Sequence, residues 1–407
     1  MRILYLSQYF PPEAGATQTR SYEMAHNLIL LGHQVTMITE VPNHPSGIIH
    51  PEYRGELFHR SNLDGIDVIR VWVKASPKKN FINRMLFYIS FMLFSSLAGL
   101  FITRSRYDLI YATSPPLFVG ATGLFLSWQK RVPLVFEVRD LWPESAIALR
   151  ELTNPLAIRW ASRLEEACYA HANKVIVVTQ GIFERLLQRG IPVDRLSLIP
   201  NGANTALFQY RPEARERIRG KLGLAEKFVV IYAGIHGIAQ GLEAVVEAAR
   251  LLATDARVYF VLVGEGPQKR EIANLVREYE LTNLSLLPEQ PREVIPDYLS
   301  AADVALVPLR KVAIFEGALP SKIFDAWACN RPVLISIDGE ARQVVELTGG
   351  GVYVPPEDAV SLKDAILSLM QDDAGRKTMG IHGRAFTEKY YTRKALAEKL
   401  AQTLESI

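Results

Sequence analysis

Short, continuously apolar runs alternate with longer amphipathic stretches along the first half of the chain. The apolar runs lie at residues 3–6, 35–39, 68–73, 109–112, 134–138 and 175–178. Such runs predict strands of a parallel sheet, because parallel strands are covered on both faces. Helical spacing of apolar positions over 19–31 and 155–172 fills two of the intervals. Strand, glycine-bearing loop, helix and strand together form the βαβ unit of a doubly wound domain.

The alternation stops at Ile199-Pro200-Asn201-Gly202 and then starts again. In the second half, strands are predicted at residues 228–232, 259–263, 284–287, 304–307, 333–337 and 352–354. We therefore expect an α/β protein with two Rossmann-like doubly wound domains facing each other across a cleft, over 1–198 and 199–380. Residues 381–407 are amphipathic and predict a C-terminal helix. Its packing back on the first domain and its packing on the second both stay open.

One segment, 85–102, has 18 residues without a charge. As a helix it would be about 27 Å long, the threshold for spanning a bilayer. Its basic flanking residues are Lys78, Lys79, Arg84, Arg104 and Arg106. A transmembrane span, a buried core helix and a helix in the interface of an anionic membrane are all open. A span would cut the first domain in two, and the basic flanks favour the interface. We expect peripheral membrane contact through 78–106.

Composition narrows the class of protein. The chain has 407 residues, of which 49% are apolar and 22% charged, which is typical of globular domains. The net charge of +3 gives no signal for nucleic-acid binding, although residues 1–200 carry 21 Lys and Arg against 16 Asp and Glu. Cys168 and Cys329 provide neither a disulfide framework nor metal-ligand spacing. The N-terminal apolar run is too short for a signal peptide, so a cytoplasmic location is expected.

Two glycine-bearing loops follow predicted strands. Gly234, Gly237, Gln240 and Gly241 lie between the strand at 228–232 and the next helix. Glycines let the backbone approach a ligand, and the helix N-terminus favours an anion such as a diphosphate. Gly15 lies in the equivalent loop of the first domain. Ordinary turn glycines are the alternative at both places.

Charged residues cluster in the second domain at Glu316, Lys322 and Asp325. Lys322 and Asp325 are one helical turn apart and share a helix face. They can form an ordinary surface ion pair, or they can bind a phosphate and a ribose diol. A carboxylate accepts hydrogen bonds from vicinal hydroxyls, so Glu316 suits sugar hydroxyls.

In the first domain, Arg139, Asp140 and Glu144 follow the strand at 134–138. Ligands in open α/β sheets bind outside the carboxyl ends of the strands, so these residues are candidates for a site. Asp140 can accept a proton from an attacking hydroxyl. A structural or capping role for Asp140 is the alternative.

The whole set of motifs resembles the family 4 retaining glycosyltransferases of the GT-B fold. The resemblance rests on the Pro-Pro-Glu-x-Gly loop at 11–15, the linker at 199–202, Gly264-Glu265-Gly266-Pro267, and the stretch from Ala302 to Asp325. The sequences at 140–145, 239–242 and 320–323 look like the O-antigen N-acetyl-L-fucosamine transferase-like branch, whose acceptors are usually lipid-linked sugars.

The resemblance implies roles for these residues. Glu316 would hold the donor sugar, Asp325 the ribose, and Lys322 with the loop at 234–241 the diphosphate of a nucleotide-sugar. The first domain would bind a polyprenyl-linked glycan, with Asp140 near it and Arg139 and Glu144 on the acceptor side. Neither metal nor cofactor is expected, and uridine is the expected base.

The sequence departs from the family pattern at three positions. Asp325 stands where the family has Glu and lies one residue farther from Glu316, Gln240 replaces a usual Lys, and Arg139 replaces a common His. A nucleotide-sugar epimerase or hydrolase and a non-catalytic nucleotide-sugar-binding module stay open as other functions. A dehydrogenase is disfavoured, because the opening lacks GxGxxG with a later acidic residue.

Overall fold

A computed structural model describes residues 1–13, 15–44, 46–78, 80–103 and 106–407. Two compact units divide the chain. The first comprises Met1–Pro200 and Lys394–Ile407, and the second comprises Asn201–Arg393. Lys79 and Arg104, two of the basic residues beside the apolar segment, lie outside the described residues.

The first unit contains one sheet and a set of helices around it. Its strands are β1 (Arg2–Leu6), β2 (Gln34–Glu40), β3 (Phe58–Leu63), β4 (Ile66–Val71), β5 (Leu109–Ser114), β6 (Leu134–Val138), β7 (Lys174–Val177) and β8 (Leu196–Leu198). Its helices up to Pro200 are α1 (Ala16–Leu30), α2 (Phe81–Leu97), α3 (Phe118–Lys130), α4 (Glu144–Ala148), α5 (Pro155–His171) and α6 (Gln180–Gln188).

The sheet of the first unit has the order β3-β4-β2-β1-β5-β6-β7-β8. All neighbours pair in parallel except β3 and β4. The central strand β1 is buried from Ile3 onward, as expected for a strand with helices on both faces. The predicted doubly wound topology is confirmed. Strand β3 was not predicted, because its polar sequence Phe-His-Arg-Ser-Asn-Leu is typical of an edge strand rather than a buried one.

The second unit repeats the arrangement with a wholly parallel sheet. Its strands are β9 (Phe228–Ala233), β10 (Val258–Val263), β11 (Leu284–Leu287), β12 (Val304–Pro308), β13 (Val333–Ser336) and β14 (Gly351–Tyr353). Its helices are α7 (Pro212–Leu222), α8 (Leu242–Leu251), α9 (Lys269–Glu278), α10 (Ile295–Ala301), α11 (Lys322–Ala328), α12 (Glu340–Thr348), α13 (Ala359–Gln371) and α14 (Asp373–Tyr390). The order β11-β10-β9-β12-β13-β14 reverses direction beside β9, which makes the end of β9 a topological switch point.

The apolar segment forms a longer helix than the predicted 85–102. Helix α2 begins at Phe81, because the Asn80 side chain accepts a hydrogen bond from the N–H of Asn83. It continues beyond Leu97 as a π-helical turn over Ala98–Ile102. By length and composition Phe81–Ile102 could cross a membrane, and 28% of its apolar stretch is buried. The strands on either side of it along the chain, β4 and β5, belong to the same sheet.

The C-terminal segment differs from the single helix predicted over 381–407. Helix α14 begins at Asp373 and is part of the second unit, where the Arg384 guanidinium donates to the carbonyls of Phe208 and Ala328. The chain then breaks near Thr392, and helix α15 (Arg393–Glu405) follows. The apolar side chains of α15 pack in the core beneath β1 and α1 of the first unit.

Candidate active site

The end of β9 and the start of α11 meet closely in the second unit. Gly234 follows β9 with φ +151°, and a Cβ there would lie 2.2 Å from Cε and 2.7 Å from Nζ of Lys322. Another residue would be strained at this φ and would push the end of the Lys322 side chain aside. The ammonium lies over the Tyr232 ring, 5.7 Å from its centroid, and has no hydrogen-bond or ion-pair partner among the described residues. Burial lowers the pKa of Lys322, and the nearby Asp325 carboxylate opposes that shift.

The loop from Gly237 to Gly241 is held in one conformation by hydrogen bonds. The Gln240 side-chain oxygen accepts from the N–H of Gly237 at 3.1 Å, which closes a helical turn. Arg310, just after β12, donates its own N–H to the Ala239 carbonyl at 2.8 Å and its Nε–H to the Ile238 carbonyl at 2.7 Å. The loop thus leads directly into the N-terminus of α8, with its free backbone N–H groups.

A buried histidine lies beneath this loop. His236 is fully buried, and neither ring nitrogen has a hydrogen-bond partner among the described residues. Burial, with the charges of Lys269 and Lys322, lowers the pKa of His236 to about 4, although the Glu265 carboxylate acts in the opposite direction. The imidazole is therefore neutral at physiological pH, and the positive charge close to the loop belongs to Lys322, Lys269 and Arg310.

The two acidic residues predicted for the donor differ in their surroundings. Glu316 lies in a helical turn, Ala313–Gly317, with its side chain exposed. It forms no hydrogen bond or ion pair with any residue in the described ranges. Asp325 is half-buried and lines a small cavity together with Lys322 and apolar residues such as Ile231 and Val307. A ligand that reached Lys322 would therefore also meet the Asp325 carboxylate.

The first unit has its own polar group at the carboxyl end of β6. Asp140 accepts a hydrogen bond from the Ser145 hydroxyl at 2.7 Å. Burial raises the pKa of Asp140, while this hydrogen bond and the Arg139 charge act in the opposite direction. Glu144 accepts from the Arg185 guanidinium at 2.7 Å in a partly exposed ion pair. The Asp140 carboxylate is therefore partly buried and lies just after the carboxyl end of β6, where ligands of such sheets bind.

A buried ion pair next to this group was missed by the sequence reasoning. The Arg20 guanidinium donates twice to one Glu137 carboxylate oxygen, at 2.9 and 2.8 Å, and also to the carbonyls of Ile199 and Pro200. The Tyr111 hydroxyl donates to the same carboxylate at 2.6 Å. Burial alone would raise the pKa of Glu137, but Arg20, Arg139 and these hydrogen bonds lower it to about 2. In the sequence, only the position of Glu137 inside the apolar strand Leu134–Val138 indicates that this carboxylate is buried and needs a partner.

Gly15 begins helix α1 with φ +149°, and its carbonyl accepts from the N–H of Thr19. At this φ a side chain would be strained, and a Cβ would also lie 2.4 Å from the Gln18 side-chain oxygen, so the backbone conformation alone favours a glycine here. No group of three or more His, Cys, Asp or Glu side chains within the described ranges is arranged to hold a metal ion.

Comparison with protein families matches almost the whole chain in two parts. Residues 15–202 match the "Glycosyl transferase 4-like domain", and residues 214–386 match "Glycosyl transferases group 1". The chain belongs to the family 4 glycosyltransferases of the GT-B fold. The predicted family is thereby confirmed, and the two matched regions correspond to the two units.

Among curated relatives of this glycosyltransferase is WcaI of Escherichia coli (strain K12), a glycosyl transferase assigned to colanic acid biosynthesis. It is 25% identical over 370 residues, which are 89% of this chain and 90% of WcaI. The alpha-D-kanosaminyltransferase of Streptomyces kanamyceticus is 24% identical, over 66% of this chain and 69% of that enzyme.

Solved structures share the fold of this glycosyltransferase. Sucrose-phosphate synthase from Thermosynechococcus elongatus has a TM-score of 0.77 at 24% identity, covering 100% of this chain and 98% of that chain. Anabaena HepE, solved in complex with UDP and glucose, has a TM-score of 0.74 at 19% identity, covering 100% and 99%. WaaG, a glycosyltransferase involved in lipopolysaccharide biosynthesis, has a TM-score of 0.70 at 16% identity, covering 99% of each chain.

Within this glycosyltransferase, the structure gathers most of the residues predicted for the donor. The residues that meet at the switch point of the second sheet are Gly234, Gly237, Gln240, Gly241, Lys322 and Asp325. Glu316 lies in the turn that precedes α11. Arg310 and His236 were not predicted, since nothing in their sequence context distinguishes them from surface or core residues.

Proposed function

We propose that this glycosyltransferase moves a sugar from a UDP-linked donor, an N-acetylated amino sugar, to a hydroxyl of a polyprenyl-linked glycan. The transfer proceeds with retention at the anomeric carbon, without a metal or other cofactor. It serves the synthesis of a surface polysaccharide of the O-antigen type on the cytoplasmic side of the plasma membrane, with peripheral membrane contact through 78–106. The second unit binds the donor and the first unit binds the acceptor.

The position of the Lys322 ammonium carries the proposal for the donor. It lies against Gly234 at the switch point, where ligands of doubly wound sheets bind. An ammonium whose pKa is lowered by burial gains from an incoming anion, because the anion restores the interactions lost with water. A diphosphate at the N-terminus of α8 would meet this ammonium and the free N–H groups of the helix.

The chemistry follows from charges that develop during transfer. The bond between the anomeric carbon and the diphosphate oxygen breaks, and Lys322 and the α8 N-terminus stabilise the charge on the leaving diphosphate. The acceptor hydroxyl attacks from the same face, and its proton passes to the departing phosphate oxygen or to Asp140. Glu316 accepts hydrogen bonds from the donor sugar and Asp325 from the ribose.

Two of the similar proteins support the proposed class of donor and the proposed pathway, and neither identifies the transferred sugar. HepE shares the fold and was solved with UDP and with UDP-glucose. WcaI is assigned to colanic acid biosynthesis. The first fact favours a UDP-sugar as the donor, and the second favours sugar transfer over the epimerase and binding-module alternatives.

Thermal unfolding with a panel of nucleotides and nucleotide-sugars tests the proposal. A ligand at 100 times its Kd should stabilise the protein by about 2.7 kcal/mol and raise Tm by a few degrees. We expect UDP and a UDP-sugar to give this shift with and without EDTA. A shift with NAD alone, or none with any nucleotide, contradicts the proposal. Consumption of the donor without acceptor would indicate a hydrolase or epimerase instead.

A further inference from the structure

We propose that the outer face of three adjacent helices in the first unit docks on an anionic lipid bilayer, with Trp128 and Trp160 as its interfacial anchors. We name this surface, formed by the exposed side chains of α2, α3 and α5, the apolar face. The inference rests on the proposed function and extends its membrane contact beyond 78–106 to two further helices and two tryptophans.

Helix α2 exposes large apolar side chains along one stripe. The exposed members are Ile82, Leu86, Ile89, Leu93, Leu97 and Phe101. They recur every three or four residues, which places them on one side of a helix. Ile82 is 67% exposed and Phe101 is 72% exposed, so the stripe is not part of the core. The opposite side of α2 contains the buried residues, such as Phe91 and Ser95.

Helix α3 lies between α2 and α5, which makes the three exposed faces neighbours. Tyr88 of α2 stacks on Phe118 of α3, and the hydroxyls of Ser95 and Thr122 lie 3.0 Å apart. Helix α3 also packs against α5 and against the strands beneath. The three helices therefore lie side by side in the order α2, α3 and α5, and their exposed side chains belong to neighbouring surfaces.

Two tryptophans project from this surface. Trp128 of α3 is 77% exposed and Trp160 of α5 is 68% exposed. Trp160 lies beside the exposed Leu156 and under the Arg163 guanidinium, whose central carbon is 5.7 Å from its ring centroid. Exposed tryptophans next to cations suit the boundary between lipid acyl chains and headgroups, because the indole is apolar with one polar N–H group.

The charge around the apolar face selects an anionic partner. Residues 78–131 contain seven Lys and Arg and a single acidic residue, Asp108. Helix α5 adds Arg159 and Arg163 on its exposed side, two turns and one turn before the exposed Glu166. In the described part of this face, Arg84 is paired with Glu151 at 2.9 Å, whereas Lys78 and Arg106 are exposed at the two ends of the apolar stretch.

Other occupants fit these observations less well. A helix that crossed the bilayer would separate β4 from β5, which lie in one sheet. A second copy of the chain would bring two basic surfaces together, at a cost in repulsion. A bilayer with anionic headgroups matches both the apolar stripe and its basic border, as it does for interfacial helices in general.

Co-sedimentation of the full chain with lipid vesicles tests the proposal. We expect binding to vesicles that contain phosphatidylglycerol and much weaker binding to pure phosphatidylcholine. Since each cation near an anionic surface strengthens binding about fivefold, R159Q/R163Q should weaken it about 25-fold. Trp128→Gln with Trp160→Gln should weaken it on the order of tenfold. Leu347→Gln, which changes an 81% exposed residue of α12 in the second unit, is the matched control and should bind normally.

Tryptophan fluorescence supplies a direct readout of depth. Vesicles with brominated acyl chains should quench the wild-type emission, and W128F/W160F should lose that quenching although Trp72, Trp142 and Trp327 remain. Equal binding to neutral and anionic vesicles, unchanged quenching in W128F/W160F, or self-association through this face in place of vesicle binding would each overturn the proposal. Resistance to carbonate extraction would indicate a spanning helix and would overturn it as well.

Different measurements test membrane docking and the proposed function: vesicle binding tests the first, and the thermal shift with UDP-sugars tests the second. The variants of the apolar face should keep the thermal shift with UDP-sugars, because their residues belong to the first unit and the donor loop belongs to the second. If these variants lose vesicle binding but keep the Tm shift with UDP-sugars, docking is supported. If the wild type shows no Tm shift with any UDP-sugar, only the proposed function is contradicted.

Discussion

Replacing Lys322 by methionine should separate ligand binding from stability. The ammonium lies against Gly234, and burial lowers its pKa, so the fold holds this charge at an energetic disadvantage. Methionine retains the length of the side chain without the charge. The unliganded variant should therefore be at least as stable as the wild type, although it binds the donor diphosphate more weakly.

The size of the binding loss follows from the type of contact. A hydrogen bond that involves a charged group contributes about 1.5–3 kcal/mol, which corresponds to about a 10- to 150-fold weaker affinity for UDP. Isothermal titration calorimetry measures that affinity, and differential scanning fluorimetry measures Tm without ligand. An affinity for UDP within twofold of the wild type would refute the assigned role of Lys322. A large fall in Tm would show instead that the ammonium stabilises the fold.

Three further substitutions probe the fold and the loop. Gly234→Ala places a Cβ 2.2 Å from Lys322 Cε at a φ of +151°, so we expect a stability loss of about 1–3 kcal/mol and weaker UDP binding. Gly220→Ala on α7, where nothing lies within 4 Å of the added Cβ, is the control and should keep both stability and UDP binding. His236 has a folded pKa of about 4 against about 6.5 unfolded, so it favours folding above pH 6.5, and that contribution is lost as pH falls towards 4. Urea titrations of His236→Phe should show a pH dependence smaller by up to about 3 kcal/mol over this range; an unchanged dependence contradicts the assignment. Glu137→Gln leaves Arg20 buried without its counter-charge, and a loss of about 3–5 kcal/mol in the unfolding free energy is expected; a loss below about 1 kcal/mol would argue against the pair as a stabilising element.

The fold could be predicted from the sequence because most of the buried strands are continuous apolar runs. Strands such as β1 and β10 read as continuous apolar runs, and the break at Ile199-Pro200 lies at the division between the units. Strand β3 escaped prediction, since a partly exposed edge strand has no such run. The end of α14 was not predicted either, because at the break before α15 the backbone at 391–393 bonds to the distant Ala203, and no proline or glycine marks the place.

The site was predictable where spacing along one element determines contact. Lys322 and Asp325 are one turn apart on α11, and both line the same cavity. Arg310 and His236 could not be found in this way, because their contacts join segments that are distant in sequence. Arg310 holds the loop at 238–241 from the end of β12, and His236 packs against the loop that begins at Gly264.

The transfer of a labelled sugar, measured for the wild type and for the Glu316→Gln variant, tests the central claim most directly. Glu316 is exposed and has no protein partner among the described residues, so the substitution should leave the fold and the affinity for UDP unchanged. Sugar release from the UDP-sugar should require a polyprenyl-linked acceptor, form a product with the anomeric configuration of the donor, and fall on the order of 100-fold in the variant. Near-normal turnover in the variant, or equal release without acceptor, would contradict the account.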